Sequence, residues 1–348
     1  MAVIFFDGFD EAEWNSHSAL LYGWTVQVSG MTQPEMLPVS GGHALRLKTT
    51  NTSGTSRYCR LQRDITHNWG DWFGIGFRIN HRVRRPNLTF ATIFALAENG
   101  STTRIVDLMV ASNGLCHVNG EPSEANVIME QNIENFLELE LDKVAQEARV
   151  WLNNTLVGIA PLVGDEANLR VRIGVEGVDN FTNSTIVDID DFYVADGTGT
   201  VNTRRLGKVK VVQRLPQSDL VAQFQRDSGD SNASQVSDTG APSSDTTYVY
   251  SNEPGTTDLY TNSDPLPYED APVLAVGVAV IGRKEGADSH ELVPIIQSGG
   301  AQEVGPRIAL MAGSFRGGLG VFNTDPSTGE AWDANAAAQA AFGQQLVV

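Results

Sequence analysis

Residues Phe136–Val157 read FLELELDKVAQEARVWLNNTLV. Leu137, Leu139 and Leu141 alternate with Glu138, Glu140 and Asp142, a polar turn follows, and Ala148–Leu152 returns before a second turn at Asn153-Asn154. Successive strand side chains point to opposite faces, so period two sends the leucines to a core and the carboxylates to the other side. The stretch predicts an antiparallel hairpin buried on one face.

The same cadence recurs on either side. Short runs of Val, Ile, Leu and Phe alternate with turn signals, and sustained helical periodicity is almost absent. Ile4–Phe6, Ala44–Lys48, Arg57–Gln62, Phe73–Ile79, Thr89–Leu96, Arg104–Val110, Leu115–Val118, Leu169–Val175 and Ile186–Val194 read as further strands, with Asn113-Gly114 a two-residue hairpin signal. Roughly a dozen strands before Asp196 suit a two-sheet sandwich.

TIVDIDDFYVADGTGTVN, residues 185–202, ends a strand in Gly, Thr and Asn and reads as a seam. The expected organisation is a first β-sandwich domain at 1–196, a linker at 197–206 and a second β-sandwich domain at 207–348. The second block offers strands at Lys208–Leu215, Val273–Ile281, Leu292–Gln297, Ile308–Gly313, Gly318–Phe322 and Leu346–Val348. Ala334–Ala341 favours one short helix near the C-terminus. Residues 227–247, rich in Ser and Asp, predict a long surface loop or an arm that orders against a neighbour.

With 348 residues and 41% hydrophobic content, each domain has material for a core. A formal net charge of −18 argues against gripping nucleic acid or anionic lipid through the overall field. Two cysteines, Cys59 and Cys116, make no disulfide framework and read as buried free thiols. Met1–Asp7 lacks a positive n-region and a long apolar segment, and no apolar run reaches the ~20 residues of a membrane span. Neither a signal peptide nor membrane insertion is expected.

Several groups are candidates for chemistry. Glu138, Glu140 and Asp142 project along one face, as glycoside hydrolysis requires of paired carboxylates, although a solvated outer face is the simpler reading. Asp188, Asp190 and Asp191 are oxygen donors of the kind calcium takes, yet their spacing also suits a strand that begins polar and enters the core at Phe192 and Val194. Arg78, His81, Arg82, Arg84 and Arg85 form a basic run in an acidic chain, fit for an acidic neighbour, a second copy, or a sialylated or phosphorylated glycan. Trp69 and Trp72 in NWGDWFG, like Trp14 and Trp24, offer rings that stack on sugars or cap a core. The expected glycan or partner contacts are Trp69, Trp72, Arg78, Arg82, Arg84 and Arg85. The histidines show no metal spacing, and no nucleophile elbow, phosphate loop or dinucleotide fingerprint is present. No catalytic, metal or cofactor site is assigned, and the chain is expected not to be an enzyme.

The segments IFFDGFD, ALRLK, FGIGFRI, LELELD, ARVWLNNTLVG and DIDDFYVAD resemble the concanavalin A-like, laminin G-like jelly rolls. Retaining glycosidases of that kind carry Glu-x-Asp-x-x-Glu. The chain has Glu140, Asp142 and then Ala145, which removes the last carboxylate. DGTGTVNTRRLGKVKVV, DTTYVYSN, VLAVGVAVIGRK and FNTDPSTGEAWDANAAAQAAFGQQLVV resemble structural proteins of tailed bacteriophages. That resemblance implies a virion component of the tail or baseplate, assembled in the bacterial cytoplasm and acting through contacts with other virion proteins and its own copies. Host-glycan adhesion and capsid decoration are the alternatives it leaves, and a glycosidase on the jelly roll is the third.

Overall fold

The structure, a computed structural model, describes residues 2–9, 23–28, 34–39, 42–48, 57–66, 69–83, 90–98, 104–162, 168–177, 185–202, 204–238, 246–268 and 271–348. They fall into two compact units, one holding the described residues up to Val212 and the other those from Gln213. The protein is all-β, built from two sandwiches, with a short helix near its C-terminus.

The first unit is a jelly roll of two antiparallel sheets. The eight-stranded sheet runs in the order Thr155–Pro161, Glu147–Leu152, Glu134–Asp142, Trp72–Val83, Ile186–Asp196, Gly42–Lys48, Glu35–Val39, and Ala2–Asp7 pairs with the end of Ile186–Asp196. The seven-stranded sheet runs Glu121–Pro122, Cys116–Val118, Arg104–Ala111, Phe90–Glu98, Asn168–Gly177, Arg57–Thr66, Thr25–Val28. Asn113-Gly114 makes the expected turn, with the Gly114 N–H donating to the Ala111 carbonyl at 2.8 Å. In the predicted hairpin Leu137 pairs with Leu152, Leu139 with Val150 and Leu141 with Ala148, each at 2% exposure or less. Burial of each large aliphatic contributes about 1.5–3 kcal/mol. A cluster of rings ties the sheets together: Trp24 lies 5.0 Å from Phe192 and 6.2 Å from Phe5, and Phe77 lies 6.2 Å from Phe192. Trp24 donates its indole N–H to Asp7 at 3.0 Å. Cys59 and Cys116 are separate buried thiols.

One irregularity positions the site. Between Asp190 and Tyr193 the Ile186–Asp196 strand bulges against Trp72–Val83, and Asp191 takes a φ of +53°. Before the bulge Val187 and Ile189 are fully buried, while Asp188 meets arginines on the outer face. After it the parity has shifted, so Phe192 joins the ring cluster and Tyr193 and Ala195 line the outer face.

The first unit does not stop at Asp196. Residues 197–212, expected as a linker and the opening of the second domain, belong to it, and Lys208–Leu215 forms no strand. They lie as a strap on the eight-stranded sheet.

The second unit has a six-stranded sheet, Ser218–Ala222, Thr257–Thr261, Ala341–Val347, Glu291–Ser298, Ala301–Val304, with Ile308–Ala309 also on Glu291–Ser298. A two-stranded ribbon, Val276–Gly282 with Arg316–Phe322, covers it through a core of Val278, Val280, Phe322, Leu292, Ile296, Leu346 and Trp332. The predicted helix is Ala334–Gln339, capped by the Asp333 carboxylate, which accepts from the Asn335 and Ala336 N–H groups. The expected arm is held by its own unit over the residues described. Asn232–Gln235 is a short helix whose first two N–H groups donate to Asp219 at 2.9 and 2.6 Å. The Asn232 amide donates to the fully buried Asp258 at 2.8 Å.

Candidate functional site

The outer face of the eight-stranded sheet gathers most of the residues singled out from the sequence. Its base is Trp72–Val83, where Gly74 and Gly76 stand on the outer side. A Cβ at Gly74 would overlap the Trp72 ring, and one at Gly76 would overlap the Tyr193 ring. Both rings therefore lie against bare backbone, a close approach only glycine permits. Each is pinned by a carboxylate of the Glu134–Asp142 strand: the Trp72 indole N–H donates to Glu140 at 2.8 Å, and the Tyr193 hydroxyl, reaching across Trp72–Val83, to Glu138 at 2.9 Å.

The strap covers the Tyr193 half. Leu206 and Val209 pack on Phe136, Tyr193 and Ala195. Arg205 donates to Glu138 at 2.7 Å while its guanidinium stacks 4.2 Å above Trp151, and the Gly207 N–H donates to the same carboxylate at 2.8 Å. Glu138, expected on a solvated face or as a catalytic acid, is instead 1% exposed and bound to three donors. Its burial is affordable because each oxygen is hydrogen-bonded and the charge is paired. Burial, then the Glu138 charge, raises the Tyr193 hydroxyl well above its ordinary value, so it remains a donor.

Farther along the strap Lys210 reaches Asp190 and Asp191, both at 3.3 Å, and the Val211 N–H donates to Asp191 at 2.8 Å. Burial and then the like charge of Asp191 push Asp190 up to about 7, against the pull of Lys210 and Arg78. Burial also raises Asp191, opposed by the Val211 N–H, Arg78 and Lys210.

At the Trp72 half, where Trp72 packs on the edge of the same Phe136, Tyr193 and Ala195 cluster, the face is partly exposed. Arg149 donates through Nε and Nη2 to Glu147 at 3.0 and 2.7 Å, and its Nη1 lies 3.4 Å from Asp142 and 3.6 Å from Glu140. The side chains of Arg149, Glu140, Asp142 and Glu147 are 24, 16, 26 and 37% exposed. Trp151 stands two residues on from Arg149 beneath the Arg205 guanidinium of the strap, and its buried indole N–H has no hydrogen-bond acceptor among the described residues. Trp72 is half-buried.

The other expected contacts are placed differently. Trp69 is 1% exposed, with Phe73 at 5.5 Å and the Lys143 ammonium 3.8 Å over its ring, so it has no free face for a sugar. Arg78 meets Glu134 at 3.5 Å, Asp190 at 3.9 Å and Asp191. Arg82 meets Asp188 at 2.6 Å, and Arg46 takes the same carboxylate at 2.7 Å. The basic run and the aspartate trio, read separately from the sequence, neutralise one another across paired strands. Arg84, Arg85 and Trp14 lie outside the described residues. Among those described, no group of His, Cys, Asp and Glu is arranged to hold a metal ion. Arg149, Trp151 and Glu147 were missed as site residues although the alternation in EARVWL places them on the Glu140 side.

No protein-family model and no curated protein sequence matches the chain. Solved structures similar in fold include the catalytic domain of a glycoside hydrolase family 131 protein from Coprinopsis cinerea, at 13% identity and a TM-score of 0.46, covering 57% of this chain and 97% of that one. A polysaccharide lyase family 7 alginate lyase matches at 12% identity and 0.39, covering 51% of this chain and 95% of that one. A sialidase matches at 11% identity and 0.38 over 55% of this chain, which spans only 19% of the sialidase. The expectation that the chain is not an enzyme is corrected by these comparisons, because proteins titled as hydrolase and lyase share the sandwich. The likeness is one of fold and assigns no reaction.

Proposed function

We propose that the first unit recognises carbohydrate on the Trp72 half of its eight-stranded sheet. The observation that carries this reading is Trp72, half-buried over Gly74 and pinned through its N–H to Glu140, beside the Arg149 cluster. A ring resting on a sheet turns its broad apolar side outward, where the C–H face of a sugar stacks. Carboxylates at its rim then accept from the hydroxyls. The full chain on a glycan array, with the same glycans assayed for cleavage products, tests this. Binding reduced at least about tenfold by Trp72→Ala supports it, since a buried stacking contact is worth on the order of 1–2 kcal/mol. Binding indifferent to Trp72→Ala would overturn it.

A second reading concerns where the unit works. The resemblance of residues 196–212, 245–252, 273–284 and 322–348 to tailed-phage structural proteins supports a virion component, in tail, baseplate or capsid decoration. Its partners would be other virion proteins, its own copies and a glycan of the host surface. Detection of the chain in purified particles at a fixed stoichiometry tests that role, and its absence from them removes it.

A further inference from the structure

We infer that the Trp72 face takes glycans that donate hydrogen bonds, neutral or amine-bearing, and discriminates against anionic ones such as uronates and sialates; the inference rests on the carbohydrate reading above. It follows from how the cations of the face are already committed. Arg149 is the guanidinium nearest the platform, and its donors are directed to Glu147, Asp142 and Glu140. An anionic sugar needs a free planar fork of N–H donors to clamp its carboxylate. Here that fork is occupied, and three carboxylates outnumber the one guanidinium they surround.

Other cations of the sheet's outer face are engaged as well: Arg205 on Glu138, Lys210 on Asp190 and Asp191, Arg78 on Asp191 and Glu134, Arg82 and Arg46 on Asp188, and Lys143 over the Trp69 ring, while Arg204 and Lys208 stand exposed on the strap. What is left over around Arg149 is acceptor capacity. Each carboxylate around Arg149 retains lone pairs that a hydroxyl or an ammonium satisfies and another carboxylate repels. The chain's net charge of −18 acts in the same direction at longer range.

The test is titration of the full chain with three oligosaccharide sets of equal length: neutral hexose oligomers, glucosamine oligomers and uronate oligomers. The neutral and glucosamine sets are expected to bind, with the uronates at least about tenfold weaker at low salt and closing on the others as salt screens the repulsion. Glu147→Gln, an exposed change that releases part of the Arg149 fork, is expected to raise the uronate-to-neutral affinity ratio at least about fivefold, the effect of removing one charge at this distance. Uronates binding as well as neutral oligomers in the unaltered chain, or a ratio unmoved by Glu147→Gln, overturns the selectivity and leaves the carbohydrate site standing. Binding of none of the three sets overturns the site itself.

Discussion

Arg205 Nη1 lies 2.7 Å from Glu138 Oε2, a pair formed across 67 residues of chain between the strap and the Glu134–Asp142 strand. The carboxylate is 1% exposed and the guanidinium 22%. Removing the cation therefore strands a buried charge.

Arg205→Ala is expected to destabilise the first unit by about 3–5 kcal/mol, the cost of leaving a buried ion without its partner. Arg205→Met combined with Glu138→Gln should recover a large part of that loss, since no unpaired charge then remains. Denaturant titration followed by tryptophan emission measures both. Equal losses in the single and double variants would show that the pair contributes through packing alone.

A fragment ending at Val212 should be more stable than one ending at Asp196, because the shorter piece bares Phe136 and Tyr193 and loses the partners of Glu138 and Asp191. Withdrawing Leu206 and Val209 alone costs about 1–2 kcal/mol each. Thermal melts of the two fragments under identical conditions decide the matter, and coincident curves would mean that the strap adds nothing.

Asp190 gives the fold a pH dependence of definite sign. Its folded value is about 7 against an ordinary 3.8, so the folded state holds the proton more tightly than the unfolded chain does. The stability this group contributes is present at low pH and is lost as pH rises through 7, with a slope approaching ~1.4 kcal/mol per pH unit. Asp191, raised as well, acts in the same direction, while Lys210 and Arg78 oppose both. Unfolding free energies measured at several pH values from 5 to 8 should fall for the native chain relative to Asp190→Asn. Parallel profiles would refute the assignment.

Gly74→Ala tests the platform without touching a ring. The added methyl must displace the half-buried Trp72, so glycan binding should drop about as far as in Trp72→Ala while the melting temperature moves less than in Gly76→Ala. Gly76→Ala lifts the buried Tyr193 from Glu138 and should instead cost stability, about 1–3 kcal/mol for overpacking. The reverse pattern would exclude Trp72 as the binding surface.

In the second unit, Asp258 accepts from the Gln223 and Phe224 N–H groups, the Asn232 amide and the Tyr260 hydroxyl, at 2.7, 2.9, 2.8 and 2.9 Å. Asp258→Ala removes the acceptor of all four donors, those of Phe224, Asn232 and Tyr260 on buried residues, and should cost about 3 kcal/mol or more. Hydrogen exchange at Gln223, Phe224 and Asn232 provides the readout. Unchanged protection there would count against a central role for this carboxylate.

How much of this was legible depends on the range of the interactions. The leucine face of the Phe136–Val157 hairpin is a local period, and it appears in the structure residue for residue. A glycine inside a strand is a mark of close approach, yet Gly74 and Gly76 in FGIGFRI were read only as part of a strand, and nothing local said that Trp72 and Tyr193 would lie on them. Arg78 and Asp190 were each visible as charges, yet their pairing depends on a strand register fixed by residues far from both. The strap was the least readable element. Its backbone forms no regular structure, and its hold on the sheet comes from Glu138, Asp190 and Asp191, so RRLGKVKVV resembled a strand of the next domain.

The bulge at Asp190 and Asp191 makes chain length a constraint of its own on this strand. Asp191 is the extra residue of that bulge, so its deletion would restore plain alternation and leave Ile189 and Phe192 on the inner face and Tyr193 on the outer one. A single-residue gap after Phe192 would instead exchange inside and outside for every residue that follows. Descendants of this sequence should therefore carry single-residue gaps in this strand at the bulge, at the cost of the contacts of Asp191, and not beyond it.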